Sequence, residues 1–258
     1  MVRMRVLITN DDGIDSPGLV PLAHAALAAG HEVLVAAPNK EYSGAAASLQ
    51  GEPEDGGFRI REGRPDGLDD AVRSVAVHAS PAMIAYGAAM GAFGFVPELL
   101  LSGINLGPNV GPAVVHSGTV GAALTAAAMS IPALAASMST LDPTHWETAE
   151  SVLARVLPTM PELPRDGRVL NVNIPDVPVS EVRGLRRAVL GRYAAEPHHA
   201  ADQVRMLLGG DAIVALSSQF ADDSDGFLLS ENWATISLVR GPVHDLDGYD
   251  LPEFDAHN

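Results

Sequence analysis

Apolar and polar positions alternate along the first two-thirds of the chain in a pattern that predicts strand, helix, strand in repeating order. Residues 6–8 (VLI) form a short apolar run closed by Asn10-Asp11-Asp12-Gly13, which reads as a buried strand of a parallel sheet ending in a turn. Ser16 and Pro17 look like the N-cap and first position of a helix over 16–29, with Gly30 as its stop. Strands are expected at 32–36, 73–77, 97–101, 133–137 and 169–174, and helices at 80–92, 119–129 and 144–157. Between them, 38–48 is a loop of small residues, and 51–71 is an exposed excursion with a short hairpin around 58–61. Residues 103–118 form a loop rich in Gly and Pro. Beyond about residue 178 the rhythm changes, with strands expected at 183–189, 212–216 and 235–239 joined by longer polar connections.

The pattern predicts an α/β fold: a Rossmann-like, mostly parallel sheet with flanking helices and a C-terminal β-rich extension serving oligomerisation. Residues 1–258 are expected to form a single domain, with a core of about 1–178 plus 235–240 and an extension of about 179–258.

Composition narrows the function. Cysteine is absent, which excludes disulfides and thiolate metal sites. The net charge is −16 and every basic residue except Lys40 is arginine, a balance that argues against binding a nucleic-acid duplex through its phosphates. No stretch is long and apolar enough for a membrane span, and the N-terminus runs straight into a strand with no signal-peptide layout, so a cytoplasmic location is expected.

Three loops leave predicted strands at one edge of the sheet, where open α/β sheets bind ligands. The first offers Asn10, Asp11 and Asp12. The second offers Asn39, Ser43 and Gly44. The third offers Ser102, Asn105 and Asn109, then Ser117, Gly118 and Thr119. Carboxylate, hydroxyl and amide oxygens form a hard donor set suited to Mg²⁺, Mn²⁺ or Ca²⁺. Ser117-Gly118-Thr119 opens a helix, whose free N–H groups and dipole favour a phosphate. A metal beside an anion site is the layout of metal-assisted phosphoryl chemistry.

The segments TNDDGIDSPGL, APNKEYSG, LLSGINLGPNVG and HSGTVGAA, in that order, resemble the SurE family of metal-dependent 5′/3′-nucleotidases. The resemblance covers residues 4 to about 175, and residues 236–238 look like the family's last core strand. It implies one divalent cation per subunit, Mg²⁺ or Mn²⁺, held by Asp11, Asp12, Ser43 and Asn105. It also implies Asn109 and Ser117 as catalytic partners of the two aspartates, with Asn10, Gly44, Ser117, Gly118 and Thr119 contacting phosphate. The implied substrate is a nucleoside monophosphate or a related small phosphate monoester, and the implied assembly is a homodimer or homotetramer. A non-catalytic nucleotide sensor and a phosphatase dedicated to one metabolite are the competing readings.

Three departures bear on substrate choice. Residues 78–84 read HASPAMI where the family carries GTPADCV, Tyr42 replaces a basic residue, and Gln50 replaces a threonine.

His116 could protonate a leaving group, although a packing role in its loop is the simpler expectation. Lys40 could attract phosphate or be a solvated loop-tip charge. His198-His199 with Asp202 lacks a third ligand at metal-site spacing and reads as a solvated turn. Asn105→Asp is expected to keep the metal while repelling substrate, since a charge at about 4 Å costs on the order of 4 kcal/mol at an effective dielectric near 20.

Overall fold

In the computed structural model, residues 2–191 and 221–241 are described. The expected strand at 212–216 and the His198-His199-Asp202 group lie outside them. β1 (Arg5–Thr9) is central in a nine-stranded sheet. On one side of it lie β2 (Glu32–Pro38), β6 (Arg73–Val77) and β5 (Ile60–Glu62). On the other lie β7 (Leu99–Asn105), β8 (Ala133–Met138), β9 (Arg168–Ile174), β11 (Trp233–Arg240) and β10 (Gly184–Arg187). β3 (Pro53–Glu54) and β4 (Gly57–Phe58) make the small hairpin of the excursion, a few residues earlier than expected. The six strands β6, β2, β1, β7, β8 and β9 run parallel, and antiparallel pairings at β5 and β11 flank this block.

The central strands are buried on both faces, which explains their unbroken apolar runs. Successive side chains point to opposite sides of a strand. Val6 and Ile8 therefore join Leu19, Leu22 and Leu153 on the face covered by α1 (Leu19–Ala28) and α4 (Trp146–Val156). Leu7 joins Ile84, Val120 and Ala123 on the face covered by α2 (Pro81–Ala89) and α3 (Gly118–Ala128). The alanines of α3 let it lie close to both the sheet and α2.

Two expectations need correction. α1 begins at Leu19 with Gly18 as N-cap, and Ser16 and Pro17 belong to the turn before it. Gly18 also packs against β7: its carbonyl accepts the Ile104 N–H at 3.2 Å, and a Cβ on it would stand 2.0 Å from the Ile104 carbonyl oxygen. β7 does not stop at Leu101 but continues to Asn105, with a break in its register against β8 between Ser102 and Asn105. β10, within the expected extension, packs on the core by pairing with β11 at the edge of the main sheet. A short helix, α5 (Asp225–Ser230), capped by the Ser224 hydroxyl, was not foreseen.

Candidate active site

From β1 the chain builds outward to β2 and β6, then returns to β7 on β1's other side. The sheet order reverses between β1 and β7, and crevices form at such switch points. Asp11 and Asp12 follow β1, and Asn105 ends β7, so both loops open on that crevice. The register break in β7 changes the strand's course just before Asn105.

Asp11 is buried, with its carboxylate against the start of α3. A Cβ on Gly118 would stand 2.7 Å from Asp11 Oδ2, so only glycine admits the carboxylate there. The Thr119 hydroxyl donates to Asp11 Oδ1 and stands 3.3 Å from Asn105 Oδ1. The Asn105 amide nitrogen donates to the Gly107 carbonyl at 2.7 Å, which turns its oxygen toward the aspartates' side. Asp12 Oδ2 accepts from the Leu106 N–H at 3.3 Å.

The Ser43 loop is tied in from two sides. Tyr42 N–H donates to the Asp11 carbonyl at 2.7 Å, and Ala46 N–H donates to the His116 carbonyl at 3.2 Å. The Ser43 hydroxyl donates to Glu41 at 2.6 Å, leaving its oxygen lone pairs available to a cation.

These loops enclose a cleft of about 310 Å³ whose wall includes Asp11, Ser43, Gly44, Asn105, Asn109, His116 and Ser117. Burial pushes the Asp11 carboxyl above its ordinary range, while the Thr119 hydroxyl and the N–H groups of Thr119 and Gly118 pull it back down. Asp12 is pushed up to about 8, first by burial, then by the charges of Asp11 and Glu41, against the Leu106 N–H. Among the described residues no ion pair reaches either carboxylate. Two adjacent, desolvated carboxylates that no such pair reaches, one of them sharing a cleft wall with the Ser43 hydroxyl and the Asn105 amide, fit a hard divalent cation.

Not every expected residue faces the cleft. Gly118 and Thr119 stand behind Asp11, so the first N–H groups of α3 serve that carboxylate rather than an open anion site. Asn10 is buried and both ends of its amide close the turn: Nδ2 donates to the Gly13 carbonyl, and Oδ1 accepts from the Gly13 N–H. Ser117 lines the cleft while its oxygen caps α3 by accepting from the Val120 N–H. Lys40 is exposed, with its ammonium 5.4 Å from the centre of the Tyr42 ring.

Sequence reading missed the support beneath Asn109. Asn173 Oδ1 accepts its N–H at 2.8 Å, and the amides of Asn171 and Asn173 donate to its carbonyl at 2.8 and 3.0 Å. Its own side chain donates to Ser137 Oγ at 2.8 Å. The signal was there: two asparagines at i and i+2 among the apolar residues of a predicted core strand must find partners. The divergent 78–84 segment also has a place. Ser80 Oγ donates to the Ser48 carbonyl and accepts from Gln50 N–H, bracing the far end of the Ser43 loop.

The family model described as "Survival protein SurE" matches residues 6–197. The 5′-nucleotidase SurE of Stenotrophomonas maltophilia (strain K279a) is 39% identical over 198 residues, covering 75% of this chain and 72% of the relative. The 5′/3′-nucleotidase SurE of Klebsiella pneumoniae (strain 342) is 38% identical over 202 residues, covering 78% and 73%. The crystal structure of the SurE protein from Aquifex aeolicus superposes with a TM-score of 0.71 at 25% identity, over 92% of this chain and 93% of that one.

Proposed function

This chain belongs to the SurE family, and from that premise we propose that it is a metal-dependent nucleotidase that hydrolyses nucleoside monophosphates in the cleft between β1 and β7. The observation that carries the reading is the pair of buried Asp11 and half-buried Asp12, which no ion pair reaches among the described residues, with Asp11 sharing one cleft wall with Ser43 and Asn105.

Those four residues would hold one Mg²⁺ or Mn²⁺. Bound there, the cation supplies Lewis-acid stabilisation of phosphoryl charge. Thr119 holds Asp11 in place and packs against Asn105. The Gly44 N–H, the Ser117 hydroxyl and the free amide hydrogen of Asn109 line the cleft as donors for phosphate oxygens. These donors preorganise the site for charge that spreads over the phosphoryl oxygens in the transition state. His116, exposed on the cleft wall, is the group there that can hand a proton to the leaving oxygen. Among the described residues no serine of the cleft is hydrogen-bonded to a histidine, and Ser43, which donates to Glu41, is assigned to the cation, so in this reading water attacks directly. Asn10, Gly118 and Thr119 act on the turn and on Asp11, one step behind the substrate.

Chelation is expected to abolish phosphate release from adenosine monophosphate, and Mn²⁺ or Mg²⁺ to restore it. Full activity in the chelated protein would overturn the reading, and activity confined to one non-nucleotide metabolite would narrow it to a dedicated phosphatase.

The reading extends to a cytoplasmic enzyme that assembles at least as a homodimer. Val179, Val189 and Leu238, all in the C-terminal part, are 44–54% exposed, apolar surface that a partner subunit would cover. Light scattering should return at least twice the chain mass of 26.8 kDa. An active monomer at micromolar concentration would reject the assembly.

A further inference from the structure

Asp225 takes no part in the chemistry above, yet its carboxylate is wholly buried at the first position of α5. Its Oδ2 accepts the Gly111 N–H at 2.9 Å, and its Oδ1 accepts the N–H groups of Gly191 and Gly226, each at 2.9 Å. One carboxylate thus gathers donors from three separate stretches of chain. Gly111 opens the 3₁₀ turn Gly111–Val115, which leads directly into His116 and Ser117 on the cleft wall. Two residues upstream, Asn109 is held by Asn171 and Asn173 of β9. The packing at Gly111 is close: its φ is +53°, and a Cβ there would stand 3.1 Å from the Gly191 carbonyl oxygen. The cleft wall is therefore pinned at Asn109 by the sheet, and at Gly111 by a residue more than a hundred positions later.

We propose that Asp225 is a positioning residue of the phosphate cleft, clamping Gly111 so that Asn109, His116 and Ser117 keep their places around the substrate. This rests on the nucleotidase reading of that cleft. Hydrogen bonds to a buried charge are strong, and leaving one donor unmatched is costly.

Asp225→Asn separates the clamp from the helix. The remaining amide oxygen can still accept from Gly191 and Gly226, while the new NH₂ group confronts the Gly111 N–H, donor against donor. Ser224→Ala is the control: it removes the hydroxyl that accepts the Phe227 N–H at 3.3 Å and weakens α5 without touching Gly111. With Mn²⁺ and adenosine monophosphate, Asp225→Asn should lower kcat/KM about tenfold, mostly through KM, and weaken inhibition by inorganic phosphate by a similar factor. Ser224→Ala should melt earlier yet keep kcat/KM within about twofold of the original. Equal losses in the two variants, or an unchanged kcat/KM in Asp225→Asn, would overturn the proposal.

Amide hydrogen exchange gives a reading independent of turnover. In the unaltered protein Gly111 should exchange as slowly as β9, and in Asp225→Asn at least about tenfold faster while β9 stays protected. Exchange of Gly111 in the unaltered protein at the rate of an open loop would overturn the clamp, whether or not the variant folds. If the unaltered protein hydrolyses no phosphate monoester, the nucleotidase reading falls, and exchange alone decides whether the clamp exists.

Discussion

At Thr119 a single buried hydroxyl donates to the Asp11 carboxylate and lies 3.3 Å from the Asn105 amide oxygen, so it orients one of the four expected metal ligands and packs against a second. Thr119→Val keeps the volume and removes the donor. Groups that orient metal ligands typically change affinity by about 10–100-fold, so Mn²⁺ binding should weaken by that factor. Titration calorimetry checks this, and unchanged affinity would remove Thr119 from the site's support. The structure also amends the expectation for Asn105→Asp. The Asn105 amide nitrogen donates to the Gly107 carbonyl at 2.7 Å, and a carboxylate would put oxygen against oxygen there. The variant should still bind Mn²⁺ and raise KM at least about tenfold through the added charge. It should also lose about 1–3 kcal/mol of stability, a fall in Tm of several degrees. An unchanged Tm beside a raised KM would show that the Gly107 contact carries no weight.

Among the elements, the contact that matters most is α3 against the Ser43 loop. A Cβ on Gly121 would stand 2.3 Å from the Ala46 carbonyl oxygen, a backbone atom with no side-chain freedom to yield. Ala46 is itself fixed at φ +52° by its hydrogen bond to the His116 carbonyl. Gly121→Ala should push the loop outward, carrying Ser43 and Gly44 away from Asp11. Overpacking of this kind costs about 1–3 kcal/mol. Displacing a ligand and a phosphate donor by even an ångström should cost about 100-fold in kcat/KM, far more than the stability change alone would do. Thermal melting beside steady-state kinetics separates the two effects. The α3 helix thus acts twice: its first turn holds Asp11, and its second seats the loop that faces it.

For the whole molecule, the unpaired carboxylates make stability depend on pH and on the cation together. Both aspartates have folded-state pKa values raised above the ordinary 3.8, and Asp12 reaches about 8. Between those values these two carboxyls hold more protons in the folded, metal-free protein than in the unfolded chain. Their contribution to stability should therefore fall as pH rises from about 4 to about 8. A divalent cation offsets the repulsion of the ionised pair, and its ligands bind best once deprotonated. Mn²⁺ should consequently raise Tm more at pH 8 than at pH 5. Scanning calorimetry with and without chelator tests the sign, and a cation shift that shrinks with rising pH would contradict it.

Much of this was legible along the chain. The runs at 6–8, 33–36 and 99–101 are apolar because their strands are covered on both faces, so local pattern and tertiary burial say the same thing. Asp11, Asp12 and Asn105 were visible because they lie at strand ends, where a parallel sheet opens toward ligands. Partnership across the chain was not legible. Residue types at 117–119 announce a helix start, but only the approach of β1 shows that Asp11 takes its N–H groups. Asn10 reads as a ligand by neighbourhood, and geometry spends its amide on Gly13. The pairing of β8 with β9 brings Ser137 and Asn173 side by side beneath Asn109, and Asp225 reaches Gly111 through α5 and β11, which pack beside β9. The sequence by itself determined which residues carry charge and where strands end, because these follow from side-chain chemistry and short-range periodicity. Only the tertiary structure decided which donor meets which acceptor, because hydrogen bonds between residues a hundred positions apart depend on register and packing that no local pattern encodes.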